Sequence, residues 1–121
     1  MRRMIEFLFE VGMLKKTPRT GYQFLGSGRE SVAAHTFRTA VVGYVLAAQH
    51  PEADQNRVIR ICLFHDLPEA RTGDHNYVNK KYVQVDEAAA MRDQLTGLDL
   101  QGDIMGLLDE FNSGRTLEAQ I

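Results

Sequence analysis

Apolar residues recur along this chain at helical rather than strand spacing. Ile5, Leu8, Phe9 and Met13 fall on one helix face, with Glu6 and Glu10 off that stripe. The spacing predicts a first helix over about residues 3 to 14. Residues 15–29 contain Pro18, Gly21, Gly26 and Gly28, the composition of a loop long enough to be functional. A second helix is predicted over about residues 30 to 49. Val32, Thr36, Thr39, Ala40, Gly43 and Ala47 form one side of it, and Val41, Val42, Val45 and Leu46 a second apolar side. Two apolar sides imply a central helix buried on most of its circumference. Pro51 ends it. Asp54 is the expected N-cap of a third helix, whose core runs through Val58, Ile59, Cys62 and Leu63 to His65 and Asp66. Pro68 should end or kink that helix, because proline disfavours helical geometry at Leu67.

Thr72-Gly73-Asp74 opens an irregular stretch. A fourth helix follows over about residues 85 to 95, broken by Gly97, and a fifth over about 102 to 111. The fifth carries Ile104, Leu107, Leu108 and Phe111 as its stripe and closes at Asn112-Ser113-Gly114. Thr116 reads as the N-cap of a sixth helix whose few remaining residues cannot hold a helix by themselves. No strand alternation and no internal repeat appear. The expectation is an all-α bundle of five to six helices forming a single domain over residues 1–121, its C-terminal helix cut short as in an incomplete record. A 13.7 kDa domain should expose roughly 6,600 Å² and bury about two thirds of its extended surface, so it needs no staple.

A net charge of -2 offers no strong field for a nucleic-acid polymer or an anionic membrane. Cys62 is the single cysteine and cannot form an internal disulfide, which favours a reducing compartment. Arg2 and Arg3 resemble the start of a signal peptide, but Glu6 and Glu10 interrupt the apolar stretch and no cleavage site follows. No run approaches the ~18 apolar residues of a membrane helix. These features together predict a cytoplasmic protein.

Candidate chemistry gathers around two histidines in apolar helices, His35 and His65, the second followed directly by Asp66. A buried Asp beside a His is costly without a partner. A divalent cation shared by His35, His65 and Asp66 offsets that cost, and imidazole plus carboxylate suits Mn, Co, Ni, Fe or Zn. On spacing alone the bland reading, satisfied core histidines, is favoured. Glu69 and Asp74 add weight to the metal reading, because metal-assisted hydrolysis needs ligands, a water base and a proton donor together. If the helix persisted past Pro68, Cys62, His65, Asp66 and Glu69 would share a face. His75 reads as a loop histidine, His50 as a helix C-terminal cap and Cys62 as a small core residue.

Glu30-Ser31-Val32-Ala33-Ala34-His35 and Phe64-His65-Asp66-Leu67-Pro68-Glu69-Ala70-Arg71-Thr72-Gly73-Asp74 resemble the HD-domain metal-dependent phosphohydrolases, and among them the 5′-deoxynucleotidase, or oxetanocin-like, branch. Leu14-Lys15-Lys16-Thr17-Pro18-Arg19-Thr20-Gly21-Tyr22, Tyr77-Val78-Asn79, Glu110-Phe111-Asn112 and Thr116-Leu117-Glu118-Ala119 fit the same branch. The resemblance implies one divalent metal (Mg joins the candidates) on His35, His65 and Asp66, with Glu69 and Asp74 in catalysis and Arg19 and Tyr22 on the nucleotide. It implies an all-helical homodimer that releases phosphate from nucleoside 5′-monophosphates, above all deoxy forms. Three departures stand out. Ala34 replaces an acidic residue common before the first His, Tyr22 stands where relatives often have Trp, and the Asp that serves as fourth ligand after Thr-Leu-Glu-Ala has no counterpart. Asp99, Asp103 and Asp109 do not follow that motif and are not candidates. Two alternatives remain: an HD phosphohydrolase acting on a nucleotide polyphosphate or phosphodiester, and a non-catalytic helical dimerisation or ligand-binding module.

Overall fold

The structure is a computed structural model that describes residues 1–19, 30–74 and 78–121. Among the described residues there are α-helices and short 3-10 turns, a single isolated β-bridge and no strand, as an all-α reading requires. In chain order the helices are α1 (Arg2–Gly12), α2 (Val32–Ala48), α3 (Gln55–Phe64), α4 (Glu69–Thr72), α5 (Glu87–Leu95), α6 (Gln101–Ser113) and α7 (Leu117–Gln120). The caps follow the side-chain chemistry. Ser31, Asp54, Asp86 and Thr116 each accept a backbone N–H from the first turn of α2, α3, α5 and α7, which satisfies donors the helix itself cannot. Gly114 ends α6 in the left-handed region at φ 62. His50 Nδ1 lies 2.8 Å from the Leu46 carbonyl, the expected cap at the end of α2.

Phe7, Leu14, Val32, Leu67, Met91, Leu95, Leu98, Ile104 and Leu108 form the main core. Two expectations about burial fail. On α1 the inward stripe is Phe7 and Val11, continued by Leu14 in the following 3-10 turn, while Ile5, Leu8, Phe9 and Met13 are exposed. Both stripes have helical spacing, and the one that continues into the turn at Leu14 reaches the core. On α2 only Val32, Thr36, Gly43 and Ala47 are buried, and the broader face of Phe37, Val41, Val42, Tyr44, Val45 and Leu46 is exposed. The helix packs through its small residues and turns its large ones outward. On α3 the buried pair is Val58 and Ile61, and Leu63 is exposed. The accessible surface is 7846 Å², above the roughly 6,600 Å² expected for this mass, in keeping with these open faces.

The contact between α2 and α3 is the most extensive between any two helices. Gly43 makes it close: a Cβ there would lie 2.7 Å from Cys62 Sγ and 3.2 Å from Val58 Cγ1. The same approach holds His35, on the first turn of α2, against the end of α3. The chain beyond α3 is fixed from several sides. Gln94 Nε2 donates to the Leu67 carbonyl at 3.2 Å. Arg71 makes two hydrogen bonds to Glu10, of 2.6 and 3.0 Å, tying α4 to α1. Glu110 binds both Arg57 and Thr116, so α3, α6 and the start of α7 meet at one carboxylate.

Gly43→Ala should therefore cost stability although alanine is the better helix former. The intrinsic gain is about 1 kcal/mol, and overpacking costs about 1–3 kcal/mol. The expected result is a net loss in denaturant unfolding that Cys62→Ala, placed in the same chain, largely relieves. A Gly43→Ala protein as stable as the parent would show that the two helices can part without cost.

Candidate metal centre

Helix α3 ends at Phe64, and His65 to Pro68 form a tight turn before α4 starts at Glu69. The proline thus breaks the helix, and His65, Asp66 and Glu69 share a site through that turn rather than through a continuous helix face. His35 arrives from α2. One ligand atom from each of His35, His65 and Asp66 lies within 4.8 Å of the other two. His65 Nε2 is 3.2 Å and His35 Nε2 3.8 Å from Asp66 Oδ2. Two donors bound to one ion at about 2.1 Å can be at most about 4.2 Å apart, so both pairs already meet that limit. The chemistry of the donors, two imidazoles and a carboxylate, fits a borderline divalent metal.

Each ligand has its own support. His65 Nδ1 lies 2.9 Å from the Cys62 carbonyl. With the proton on Nδ1, that contact leaves Nε2 as the free nitrogen facing Asp66. The His65 ring packs against Phe111 with centroids 4.8 Å apart at 50°. Burial opposes a charge on His65, but its hydrogen bond and proximity to Asp66 outweigh that and raise its pKa. Burial likewise opposes the Asp66 charge, and His65 and His35 overcome it and lower the pKa. His35 is pushed down, first by burial and then by the Arg19 charge.

Glu69 is 8% exposed, and its carboxyl lies against those of Asp66 and Asp74. Burial, then the nearby Asp66 and Asp74, raise its pKa to about 9. In the metal-free protein Glu69 therefore carries its proton at neutral pH, next to an ionised Asp66. A buried, protonated glutamate held against Asp66 and Asp74 beside a three-donor cluster fits a site built for an ion and its water.

Arg19 belongs to the same region. Its backbone N–H donates to the Glu30 carbonyl at 2.8 Å, and Val32 N–H donates to the Thr17 carbonyl at 2.7 Å. This is the lone bridge, between Pro18 and Ser31. The Arg19 Nε is buried without a partner, and its charge reaches His35. Tyr22, His75 and Tyr77 lie outside the described residues. Asp103 forms a 3.5 Å ion pair with Arg60. Two contributors were not anticipated from sequence. Phe111 reaches His65 from α6, with α4 and α5 between them in the chain, and Glu30 faces His35 from the residue before the α2 cap.

Comparison with known proteins agrees with this geometry. An HD domain family model matches residues 11–121. The chain belongs to the HD domain family. It is 33% identical to the 5′-deoxynucleotidase HDDC2 of Bos taurus over 98% of its own length and 60% of that protein's. It is 32% identical to the 5′-deoxynucleotidase hdd1 of Schizosaccharomyces pombe, covering 97% of this chain and 63% of the relative. The chain thus spans about 60% of the length of the HDDC2 relatives it matches. Among solved structures, a conserved hypothetical protein from Pyrococcus furiosus superposes with a TM-score of 0.83 at 32% identity, covering 96% of this chain and 70% of that one. A protein from Magnetospirillum magnetotacticum described as a predicted metal-dependent phosphohydrolase gives a TM-score of 0.80 at 26% identity, over 98% of this chain and 64% of the other. An HD domain implies a divalent metal, and His35, His65 and Asp66 form a group able to hold one.

The raised Glu69 pKa has a stability consequence whose sign is fixed. Between the ordinary carboxyl pKa of about 4.5 and the folded value of about 9, the native state keeps a proton that the unfolded chain has lost. Metal-free stability must then fall as pH rises through that window. Glu69→Gln should remove this slope and raise metal-free stability at pH 8 by more than about 1 kcal/mol. Unchanged pH dependence of thermal unfolding would contradict the buried, protonated Glu69.

Proposed function

We propose that this HD domain is a metal-dependent phosphomonoesterase that releases phosphate from nucleoside 5′-monophosphates, above all deoxy forms. The observation that carries this reading is the meeting of two imidazoles, a carboxylate and a buried glutamate at one turn. The HD relatives are named 5′-deoxynucleotidases, which supplies the substrate class.

In this reading His35, His65 and Asp66 are the metal ligands. A divalent ion of the Mn, Co, Ni, Fe, Zn or Mg group supplies, when bound, an acidified water and an anchor for a phosphate oxygen. Hydrolysis joins the water oxygen to phosphorus and breaks the bond to the 5′ oxygen, which leaves needing a proton. Glu69 and Asp74 divide the proton work: one holds the water and takes its proton, and the other delivers a proton to the 5′ oxygen. Glu69 suits the donor part of this work because burial, with Asp66 and Asp74 beside it, keeps its proton on at neutral pH. Arg19 offers forked donors to the phosphate, and its buried, unpaired Nε is the supporting observation. Tyr22 is assigned to the base or sugar face by resemblance.

The chain loaded with Mn or Co should release inorganic phosphate from a panel of deoxynucleoside 5′-monophosphates. Glu69→Ala should reduce turnover by at least about 100-fold, the lower range for general acid–base catalysis, while metal analysis shows the ion still bound. A metal-loaded protein inert across the panel rejects the reading, and Glu69→Ala with full activity removes Glu69 from the reaction.

The partner reading is a second copy of this chain in a cytoplasmic homodimer. The single thiol, Cys62, supports a reducing compartment, and none of the described helices is long and apolar enough to cross a membrane. The outward face of α2 and α3 supports the dimer. Phe37, Ala40, Val41, Tyr44, Ile59 and Leu63 line an apolar pocket of about 330 Å³ there, and Phe37 is 72% exposed. Exposed apolar surface of this kind marks an interaction site. Light scattering should give twice the chain mass, and Val41→Asp should halve it. A monomeric parent protein would rule the dimer out.

A further inference from the structure

Metal-binding histidines need one nitrogen bare and the ring held still. For His65 the Cys62 carbonyl does both. Among the described residues His35 shows no such carbonyl bond; Arg19 and His65 act on it electrostatically, and three oxygens lie against its ring. Glu30 Oε1 lies 3.7 Å from Nδ1. Asp66 Oδ2 lies 3.8 Å from Nε2, and Thr39 Oγ1 3.4 Å from Nε2. Thr39 already donates its hydroxyl proton to the His35 carbonyl at 2.8 Å, so toward the ring it can only accept. The two neutral tautomers of His35 therefore mean different things. A proton on Nδ1 faces Glu30 and leaves Nε2 bare toward Asp66. A proton on Nε2 faces Thr39 and removes His35 as a donor.

We propose that Glu30 is the positioning residue for His35, its carboxylate accepting the Nδ1 proton and keeping Nε2 bare toward Asp66. The inference rests on the reading of His35 as a metal ligand. The Glu30 side chain is 8% exposed, and its surroundings fix where the carboxylate sits. The Glu30 carbonyl accepts from Arg19 N–H. The next residue, Ser31, caps α2 through Ala34 N–H at 3.1 Å and accepts the His35 backbone N–H at 3.0 Å. Glu30 and His35 are thus joined through one helical turn. The carboxylate's other neighbour is Arg38 at 3.4 Å, whose side chain is 72% exposed, and pairs so open to solvent hold little. A purely structural Glu30–Arg38 pair would not explain why the carboxylate faces inward to the imidazole. At 3.7 Å the contact is longer than a hydrogen bond, and a small ring rotation closes it. A carboxylate on the far nitrogen of a metal-bound histidine fixes the tautomer and raises the basicity of the ligating nitrogen.

The test uses the whole chain with ¹⁵N-labelled histidine and needs no turnover. Two-bond ¹H–¹⁵N spectra of the metal-free protein report the tautomer of neutral His35. The expected result is Nδ1–H in the parent, Nδ1–H retained in Glu30→Gln, whose carboxamide oxygen still accepts, and a shift toward Nε2–H in Glu30→Ala. Titration with Co or Zn should show Glu30→Ala binding about 10- to 100-fold more weakly, with Glu30→Gln between it and the parent. Arg38→Ala should stay within about two-fold of the parent in affinity, well below that effect. An Nε2–H tautomer in the parent, or a Glu30→Ala protein with parental tautomer and affinity, overturns the proposal. Should Glu30→Ala fail to fold, Glu30→Gln and Arg38→Ala decide: equal losses in both mark a structural pair and overturn it. A parent that binds neither ion, yet whose His35 tautomer follows Glu30, rejects the metal reading and leaves the positioning intact.

Discussion

The arrangement turns on carboxylates that share too little water. Asp66 and Glu69 lie three residues apart across one turn, largely buried, with Asp74 beside them. Two ionised carboxylates in such a place repel each other and lose hydration. The protein alone offers a partial solution: Asp66 keeps its charge against His65 and His35, and Glu69 keeps its proton. That solution costs stability wherever the pH would ionise an exposed glutamate. A divalent ion at the His35, His65 and Asp66 donors answers the same problem differently, by supplying the positive charge directly. Burial that is a liability in the free protein would thus favour binding of such an ion, and it keeps a proton on Glu69 at neutral pH.

Holding those groups together is the task of the surrounding helices. Gly43 lets α2 and α3 approach, which carries His35 to the end of α3. Pro68 ends α3 and starts α4, so Glu69 returns toward Asp66 instead of continuing along a helix. Gln94 and Arg71 pin this turn to α5 and α1. Phe111 backs the His65 ring, and the adjacent Glu110 ties Arg57 to Thr116.

The sequence announced the elements better than their faces. Caps at Ser31, Asp54, Asp86 and Thr116 are local chemistry, in which a side-chain oxygen meets an N–H three residues on, and Asp54 and Thr116 were legible as such. The metal donors were legible because His65-Asp66 at an apolar helix end is costly without a cation, and because the surrounding motif resembles a known family. Which stripe of α1 or α2 turns inward was not legible. Both helices carry two apolar sides, and the choice is made by residues far along the chain, such as Met91 and Leu95 in the core that takes Phe7 and Cys62 against Gly43. The same limit hid Phe111, whose ring meets His65 through the packing of α6 and α3 and not through any sequence spacing.

Glu30 and Arg19 show how a loop can be made part of a rigid centre. The bridge between Pro18 and Ser31 makes two backbone hydrogen bonds, at 2.7 and 2.8 Å. One of them joins Arg19 to Glu30 directly. Glu30 faces the far side of the His35 ring, and the charge of Arg19 acts on the same imidazole. A guanidinium and a carboxylate that both act on His35 are thus carried on two backbone segments joined at one bridge. Displacing one displaces the other. In the HD reading, substrate grip and metal grip are then not independent properties. An anion that draws Arg19 forward pulls on the segment that sets His35, and a tightly held His35 in turn fixes where Arg19 waits. Coupling of this kind is reciprocal by thermodynamic necessity, and here its physical carrier is a pair of backbone hydrogen bonds.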